Sequence, residues 1–371
     1  MKLSTSATDL LAQLQSVARV ASNRSAVQAL GGIQIHATTD GVELRSTDLE
    51  VALRVPLSAK VESPGEVVVP ARLFLDIARS VSSLGEAVSI EHRPEPGDIA
   101  LKAGTAEFHI RTLRNDDFPK LPQTGEGETV VLPGDALVAT IDKVARSASR
   151  DETRPILTGI LMSATGSELR MVATDSYRLS VKRTKLETPI EPGFEANVPA
   201  RALEELRTVV TAAGAAEVSI SVTASQIVFE VAGVVLSSRL IDGQFPSFQQ
   251  LLPDSFEHEL RLNGDEIAGV VGRVALMAQK NTPLRLSFTE GELTVSAQTP
   301  DVGEASEPLP VPFSGEPFEI GFNPEFLRDG LDSMAGEDLL LKLISPLRPG
   351  LIEAADDSGF VYLIMPIRLN V

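Results

Sequence analysis

The chain has 371 residues, enough for about two or three domains, and 43% of them are hydrophobic, so it can form substantial cores. It contains no cysteine, which excludes disulfides, thiolate metal sites and cysteine nucleophiles. No apolar run is long enough to cross a bilayer and the residues after Met1 lack a signal-peptide core, so we expect a cytoplasmic protein without a membrane partner. The net charge of −18 argues against nucleic acid as a partner, but binding depends on where the few basic residues lie.

Each third of the chain opens with apolar residues at helical spacing. The pattern occurs at residues 10–17, returns 127 positions later at 137–144, and occurs in a weaker form at 267–274, where Asn263 is placed to cap the helix. An interval of this size is the length of a domain and much longer than the unit of a solenoid repeat. The sequence therefore predicts three copies of one domain.

Alternating strands and a second helix follow in each third. Strand-like alternation bounded by turn residues is found at 32–37 and 159–164. The second helix of the first two copies follows the same four residues, Val-Pro-Ala-Arg, at 69–72 and 198–201, and Asn323 followed by Pro324 starts that of the third. Proline is tolerated in the first turn of a helix because its missing N–H would be unpaired there.

A polar Thr-Asp turn recurs at the same interval of 127 residues. It lies at 47–48 and at 174–175, each time before an alternating strand. The joints between copies are also matched, at 117–122 and 243–248, and the stretches after them, rich in proline, glycine and acidic residues, predict linkers.

These patterns predict an α+β fold made of three tandem copies. Each copy should hold two helices and about eight short strands. We place the domains at residues 1–124, 129–254 and 255–371.

The basic residues concentrate on the helices and their ends, whereas the strands and linkers hold most of the carboxylates. If the helices of all copies face one way, an acidic protein acquires a basic lining that meets phosphates without reading bases. A single helical arginine is as often simply solvated, and the repetition in register is what favours DNA. The helical basic residues are Arg19, Arg24, Arg72, Arg79, Lys143, Arg146, Arg150, Arg201, Arg207, Arg273, Lys280 and Arg328.

Four motifs carry a family resemblance: 151–159 (DETRPILTG), 173–179 (ATDSYRL), 242–246 (DGQFP) and 365–369 (MPIRL). With these motifs in order over three domain copies, the chain resembles the bacterial DNA polymerase III β subunit family of sliding clamps along its full length. The resemblance implies a DNA clamp fold in which a head-to-tail homodimer closes six domains into a ring. Helices would line a hole for duplex DNA, and sheets would form the outer wall.

The function implied by the resemblance is a clamp that holds DNA by enclosure and gives the replicative polymerase its processivity, with no catalytic site, cofactor or metal of its own. The implied partners are double-stranded DNA without sequence preference, the DNA polymerase III catalytic subunit, the clamp loader, and other polymerases and repair proteins that carry short linear peptides. Base contacts would hinder sliding, so sparse phosphate contacts suffice.

By resemblance, a peptide-binding pocket lies between the second and third copies. Its apolar members would form a cleft in which Met365 adapts to varied side chains, while Arg154 and Arg178 would meet polar or acidic peptide groups. Taken singly, each leucine or methionine is better explained as core, whereas Thr174 and Ser176 in the turn are harder to explain that way. The implied pocket residues are Arg154, Leu157, Thr174, Ser176, Tyr177, Arg178, Leu179, Pro246, Leu251, Phe326, Pro349, Leu363, Met365, Pro366 and Ile367.

Two positions depart from the family pattern. Ser176 stands where many members have glycine, which affects the backbone shape of that turn. The chain also continues past the terminal motif with Asn370 and Val371, which would narrow the mouth of the pocket. Both changes would tune peptide affinity.

The resemblance also points to a subunit contact and to DNA contacts. Phe108 and Ile110 of the first copy would meet Leu276 and Met277 of the third copy in the partner subunit, unless they simply fill the core of the first domain. The expected DNA-binding residues are Arg24, Arg72, Arg79, Arg150 and Arg201.

Three other interpretations stay open. An enzyme could use Asp175 with Arg178, or Ser176 with Tyr177, but the chain has four histidines in all, no glycine-rich phosphate loop, no metal-ligand cluster and no nucleophile elbow. A clamp paralogue acting as a decoy or inhibitor-tolerant copy would keep the fold and alter the pocket. A repeat scaffold without a DNA role would form no ring.

Overall fold

A computed structural model describes the chain at residues 1–22, 25–84, 87–122, 128–279, 282–356 and 358–369. Within these ranges, two α-helices fall in each third of the chain, and every strand pairing is antiparallel. The helices are α1 (Ala7–Val17), α2 (Ala71–Ser82), α3 (Gly134–Val144), α4 (Ala200–Ala213), α5 (Gly264–Val274) and α6 (Pro324–Asp332).

The strands are spread over all three thirds. The first third contains β1 (Lys2–Ser6), β2 (Gly32–Ala37), β3 (Val42–Thr47), β4 (Val51–Leu57), β5 (Ala59–Ser63), β6 (Gly65–Pro70), β7 (Ala87–Arg93), β8 (Asp98–Ala103) and β9 (Ala106–Arg111). The middle third contains β10 (Glu128–Pro133), β11 (Gly159–Thr174), β12 (Arg178–Pro199), β13 (Glu217–Val222), β14 (Gln226–Val231) and β15 (Val234–Arg239). The last third contains β16 (His258–Asn263), β17 (Leu284–Thr289), β18 (Glu292–Thr299), β19 (Gly303–Pro310), β20 (Phe318–Phe322), β21 (Asp338–Leu343), β22 (Gly350–Ala354) and β23 (Phe360–Ile364).

Local sequence signals explain where several helices begin. The Ser6 side chain accepts a hydrogen bond from the Asp9 amide at 3.0 Å at the start of α1. Asn263 accepts one from the Glu266 amide at 3.0 Å at the start of α5, which confirms the predicted cap, and Asn323 caps α6 in the same way. Each bond satisfies a backbone donor that the helix itself leaves unpaired.

The chain divides into two compact units, of which the first comprises Met1–Gly134 and Glu205–Leu240. This unit contains a five-stranded sheet in the order β5-β1-β7-β8-β9 and an eight-stranded sheet in the order β10-β13-β14-β15-β4-β3-β2-β6. Helix α1 packs on α2 and on β4, and the Leu10, Leu14 and Val17 side chains of its predicted apolar face are fully buried. Burial of this stripe removes apolar surface from water and holds the helix on the sheet.

The second unit comprises Asp135–Glu204 and Ile241–Val371. It contains a six-stranded sheet in the order β11-β12-β23-β22-β21-β16 and a four-stranded sheet in the order β19-β18-β17-β20. Its largest cluster of buried apolar side chains includes Phe288, Phe322 and Tyr362. Because β12 pairs directly with β23, strands from the middle and last thirds share one hydrogen-bonded sheet.

The described part of the middle third forms fewer and longer strands than the eight short strands predicted for each copy. Of the residues described there, β11 has 16 residues and β12 has 22, and the two pair along most of their length with register shifts on either side of Gly166. Each of these long strands is therefore more than twice as long as an ordinary strand of about 5–6 residues.

None of the described helices combines the length and the apolar character that a membrane span requires. Within the described ranges, no three histidine, aspartate or glutamate side chains are grouped closely enough to hold a metal ion.

Candidate functional site

The turn between β11 and β12 is held by its own side chains. Thr174 Oγ1 donates to the Arg178 carbonyl at 2.7 Å and accepts from the Ser176 amide at 3.2 Å. Asp175 Oδ1 accepts from the amides of Tyr177 at 2.9 Å and Arg178 at 3.0 Å. The φ angle of Ser176 is 81°, a left-handed conformation that glycine adopts most easily.

Arg178 links this turn to α6. Its side chain is 7% exposed; Nε donates to Asp175 Oδ2 at 3.0 Å and Nη1 to Asp329 Oδ2 at 2.6 Å. Nη2 donates to the carbonyl of Arg146, and the guanidinium lies 4.4 Å from the centre of the Phe326 ring. All three nitrogens thus have partners within the protein. These contacts link the turn to α6 and to the segment that follows α3.

The pKa values of Arg178 and Tyr362 in this cluster are both raised. Burial disfavours the charged form of Arg178, but the attraction of the Tyr362 oxygen, the hydrogen bond to Asp329 and the attraction of Asp175 outweigh it and raise the pKa of the guanidinium. Burial also raises the pKa of the neighbouring Tyr362, whose hydroxyl donates to the Phe326 carbonyl at 2.7 Å.

A pocket of about 710 Å³ opens beside the turn, within the second unit. Leu179 and Leu363 are buried beneath it, and Met365, 40% exposed, stands at its edge. A concave apolar surface with a few polar groups suits a ligand that inserts apolar side chains. The predicted residues that line the pocket are Thr174, Ser176, Arg178, Leu179, Leu251, Pro349, Leu363 and Met365.

The other predicted pocket residues lie around this opening or away from it. Arg154 Nη1 donates to Ser176 Oγ at 3.0 Å, so it reaches the pocket only through that hydroxyl. Tyr177, 60% exposed, stacks on Phe326 with ring centres 6.4 Å apart. Ile367 lines a separate groove beside β17 and β18. The predicted residues outside the lining are Arg154, Leu157, Tyr177, Pro246, Phe326, Pro366 and Ile367.

One wall of the pocket comes from residues that the sequence analysis assigned to a linker. Residues 250–255 and Glu257 line the opening opposite the turn, and residues 347–349 add Leu347, which is 62% exposed. The proline and acidic residues of 250–257 are typical of a solvated linker. The two adjacent leucines, Leu251 and Leu252, are the sequence signal that this segment makes apolar contacts.

The predicted DNA-binding residues are mostly exposed. Arg72 and Arg79 lie on α2, where Arg79 pairs with Asp76 at 3.0 Å; Arg150 follows α3, and Arg201 lies in the first turn of α4. Arg24 lies outside the described residues.

Other basic residues of the helices and their ends form ion pairs with carboxylates. Lys143 Nζ lies 2.7 Å from Glu337 Oε1, and Arg273 Nη2 lies 2.6 Å from Glu307 Oε1. Arg146 Nη1 lies 3.0 Å from Asp332 Oδ2, and Arg19 Nε lies 2.9 Å from Glu205 Oε2. Lys280 lies outside the described residues.

The predicted subunit-contact residues differ in exposure. Ile110 is 1% exposed and belongs to a core, as the alternative interpretation held, while Phe108 on the same strand is half-buried. Leu276 is 81% exposed, the most exposed large apolar side chain among the described residues, and Met277 is half-buried against the core of the last third.

Comparison with known proteins decides the family. Models of the DNA polymerase III beta subunit match in tandem: its N-terminal domain at residues 1–122, its central domain at 131–247 and its C-terminal domain at 249–368. The chain belongs to the DNA polymerase III beta subunit family. The family's members are sliding clamps, which are processivity factors and not catalysts.

Relatives of the same family match over the whole chain. The beta sliding clamp of Streptomyces coelicolor is 32% identical over 98% of this chain and 98% of its own. The DNA polymerase sliding clamp structure from Caulobacter crescentus is 30% identical with a TM-score of 0.90, and that of Bartonella birtlesii, solved with bound griselimycin, is 26% identical with a TM-score of 0.92; both match over the full length of each chain.

The hydrogen bonds of the turn do not prepare Ser176 as a nucleophile. A serine nucleophile needs a base that accepts its proton. The Ser176 hydroxyl instead accepts a hydrogen bond from the Arg154 cation, and both oxygens of Asp175 are bonded within the turn. The enzyme interpretation is therefore not favoured.

Proposed function

We propose that this chain is a DNA sliding clamp that closes as a head-to-tail homodimer around duplex DNA and confers processivity on the replicative polymerase in the cytoplasm. The observation that carries the proposal is the tandem match of all three clamp domains over almost the whole chain. Full-length agreement with clamps also disfavours a scaffold without a DNA role.

Two open sheet edges support ring closure. Strand β9 ends the five-stranded sheet of the first unit, and β19 ends the four-stranded sheet of the second. Unpaired edges are ready templates for another strand, and a head-to-tail contact requires two different patches on one chain. We infer that β9 of one subunit meets β19 of the other, with Phe108 beside the exposed Leu276.

The pocket beside the Thr174 turn would bind short linear peptides of the polymerase catalytic subunit, the clamp loader and repair proteins. Leu179 and Leu363 offer the apolar floor, and Met365 adapts to different side chains. Arg154 and the Tyr177–Phe326 stack would extend the contact beyond the opening.

The exposed arginines of the helices would contact DNA. Arg72, Arg79, Arg150 and Arg201, together with Arg24, would meet phosphates without reading sequence. Because topology holds the DNA, few such contacts are needed, and the net charge of −18 would repel DNA from other surfaces.

The experiment is to image the purified protein by negative-stain electron microscopy and to measure its mass by light scattering. We expect a closed ring with six lobes at the mass of two chains. The Leu276→Asp variant should give half that mass, while Leu84→Asp, which places the same charge at a leucine 49% exposed elsewhere, should keep the ring. Three-lobed crescents of the unaltered chain at every concentration would contradict the proposal.

A further inference from the structure

The first third of the chain contains a second copy of the pocket turn. Thr47 Oγ1 donates to the Val51 carbonyl at 2.8 Å and accepts from the Leu49 amide at 3.0 Å. Asp48 Oδ1 accepts from the amides of Glu50 at 3.0 Å and Val51 at 2.8 Å. The φ angle of Leu49 is 80°, against 81° for the corresponding serine, a conformation that a bulky side chain rarely adopts. The same strained backbone conformation thus occurs at both turns.

The strands behind the two turns also correspond. The Arg239 amide donates to the Glu50 carbonyl at 2.9 Å, as the Met365 amide donates to the Tyr177 carbonyl at 2.8 Å. Strand β4 pairs with β15 in the same register in which β12 pairs with β23, so that Ala52 lies opposite Ser237 as Leu179 lies opposite Leu363. The backbone that forms the peptide pocket is thus built twice.

A small groove of about 130 Å³ lies beside this second turn, within the first unit. Side chains differ from those of the larger pocket at corresponding positions: Ala52 replaces Leu179, Ser237 replaces Leu363, and Arg239 replaces Met365. The floor of this groove is therefore made by two smaller side chains, one of them polar, and the Arg239 cation lies at its edge.

The groove keeps an apolar rim and gains positive charge. Leu49 is 50% exposed, and Leu121, which also packs on a small apolar cluster with Phe118, lines the same groove. Lys120 and Arg239 are exposed and form no ion pair in the part of the chain that the structure describes. Glu50 is the one carboxylate among the described residues that line the groove.

We propose that this groove is a second peptide-binding site, which takes an extended segment of a partner protein with a carboxylate next to a small apolar side chain. The carboxylate would bind Arg239 and Lys120, the Ser237 hydroxyl would donate to it, and the apolar side chain would lie against Leu49 and Leu121. The charge of the rim selects an acidic peptide, whereas the larger pocket relies on apolar contact. The proposal does not require the ring, because every residue named lies in one unit of one chain.

The test is a titration of the full-length protein, labelled with ¹³C in its leucine and alanine methyl groups, followed by methyl NMR. The probe is a capped peptide of alternating aspartate and leucine, and its matched control carries lysine in place of aspartate. We expect saturable shifts of the Leu49, Ala52 and Leu121 methyl resonances with the acidic probe only. Arg239→Glu should weaken this binding at least about tenfold. Met365→Glu, at the corresponding position of the larger pocket, should leave the affinity of the groove for the acidic probe unchanged.

Several outcomes would overturn the proposal. Shifts confined to the Leu179 and Leu363 methyl groups would mean that the acidic peptide uses the larger pocket only. Equal shifts with the lysine peptide would remove the role of charge. Shifts of the same three methyl groups with a duplex DNA oligonucleotide, but not with the acidic probe, would assign the cations to DNA. Shifts that change on dilution of the protein alone would assign the groove to a second copy of the chain.

Discussion

Arg178 Nη1 donates to Asp329 Oδ2 at 2.6 Å, and this contact ties the pocket turn on β12 to helix α6. The two residues belong to the central and the C-terminal family domains. Their side chains are 7% and 17% exposed, so the pair is shielded from solvent and from screening by salt. The shape of the pocket therefore depends on a charge supplied from the next domain.

Removing the Asp329 carboxylate should destabilise the protein strongly. Asp329→Ala leaves the buried guanidinium with one carboxylate, and breaking a buried pair in this way costs about 3 kcal/mol of unfolding free energy. The measurement is urea unfolding of the variant and the unaltered protein. Asp332→Ala is the matched control, because it removes a half-exposed partner of Arg146 and should cost less than about 1 kcal/mol. Equal losses of unfolding free energy in the two variants would show that burial of the Arg178–Asp329 pair does not determine its contribution to stability.

Peptide affinity should depend on Met365. Met365→Ala removes an exposed apolar contact at the pocket edge and should weaken binding of a peptide from the replicative polymerase about tenfold, with little change in stability. Isothermal titration calorimetry measures this directly. Leu84→Ala, at a leucine 49% exposed outside the pocket, should bind the peptide normally. Unchanged affinity of the Met365 variant would place the peptide elsewhere.

Acid should weaken the first unit through Asp98. Arg93 binds both oxygens of this carboxylate, at 2.8 and 2.7 Å, and this hydrogen bonding lowers the pKa of Asp98 below its usual value. A carboxyl whose pKa is lower in the folded state stabilises above its unfolded pKa of about 3.9, and the contribution is lost as the pH falls through the folded value. Asp98→Asn should therefore be less stable than the unaltered protein at pH 7, and the gap should close as the pH falls below the unfolded pKa and through the lower folded pKa.

The check is the free energy of unfolding against pH for both proteins. Asp116→Asn provides a control at an exposed aspartate that forms no ion pair among the described residues. A gap between Asp98→Asn and the unaltered protein that stays constant from pH 7 to pH 2 would contradict the assignment.

Local patterns predicted much of this molecule, and long-range contacts did not follow from them. The interval of 127 residues predicted the matching helices and the paired turns at Thr47 and Thr174, because repeated sequence folds by the same local rules. The burial of Arg178 depends on a partner 151 residues away, which no local pattern reveals. The sequence likewise placed Lys143 among the basic residues of the predicted lining, because its partner Glu337 lies 194 residues further along the chain. Composition alone could not distinguish the pocket wall at 250–257 from a solvated linker.

The backbone at Ser176 provides a further test of the turn. A residue other than glycine at a φ of 81° stores strain of about 1 kcal/mol, so Ser176→Gly should lose little stability even though it removes the hydroxyl that Arg154 binds. Ser176→Val should destabilise by about 2 kcal/mol, because a β-branched side chain fits this conformation worst. Thermal unfolding of both variants separates strain from hydrogen bonding. If the glycine variant fell as far as the valine variant, the hydroxyl contact and not the backbone conformation would be what holds the turn.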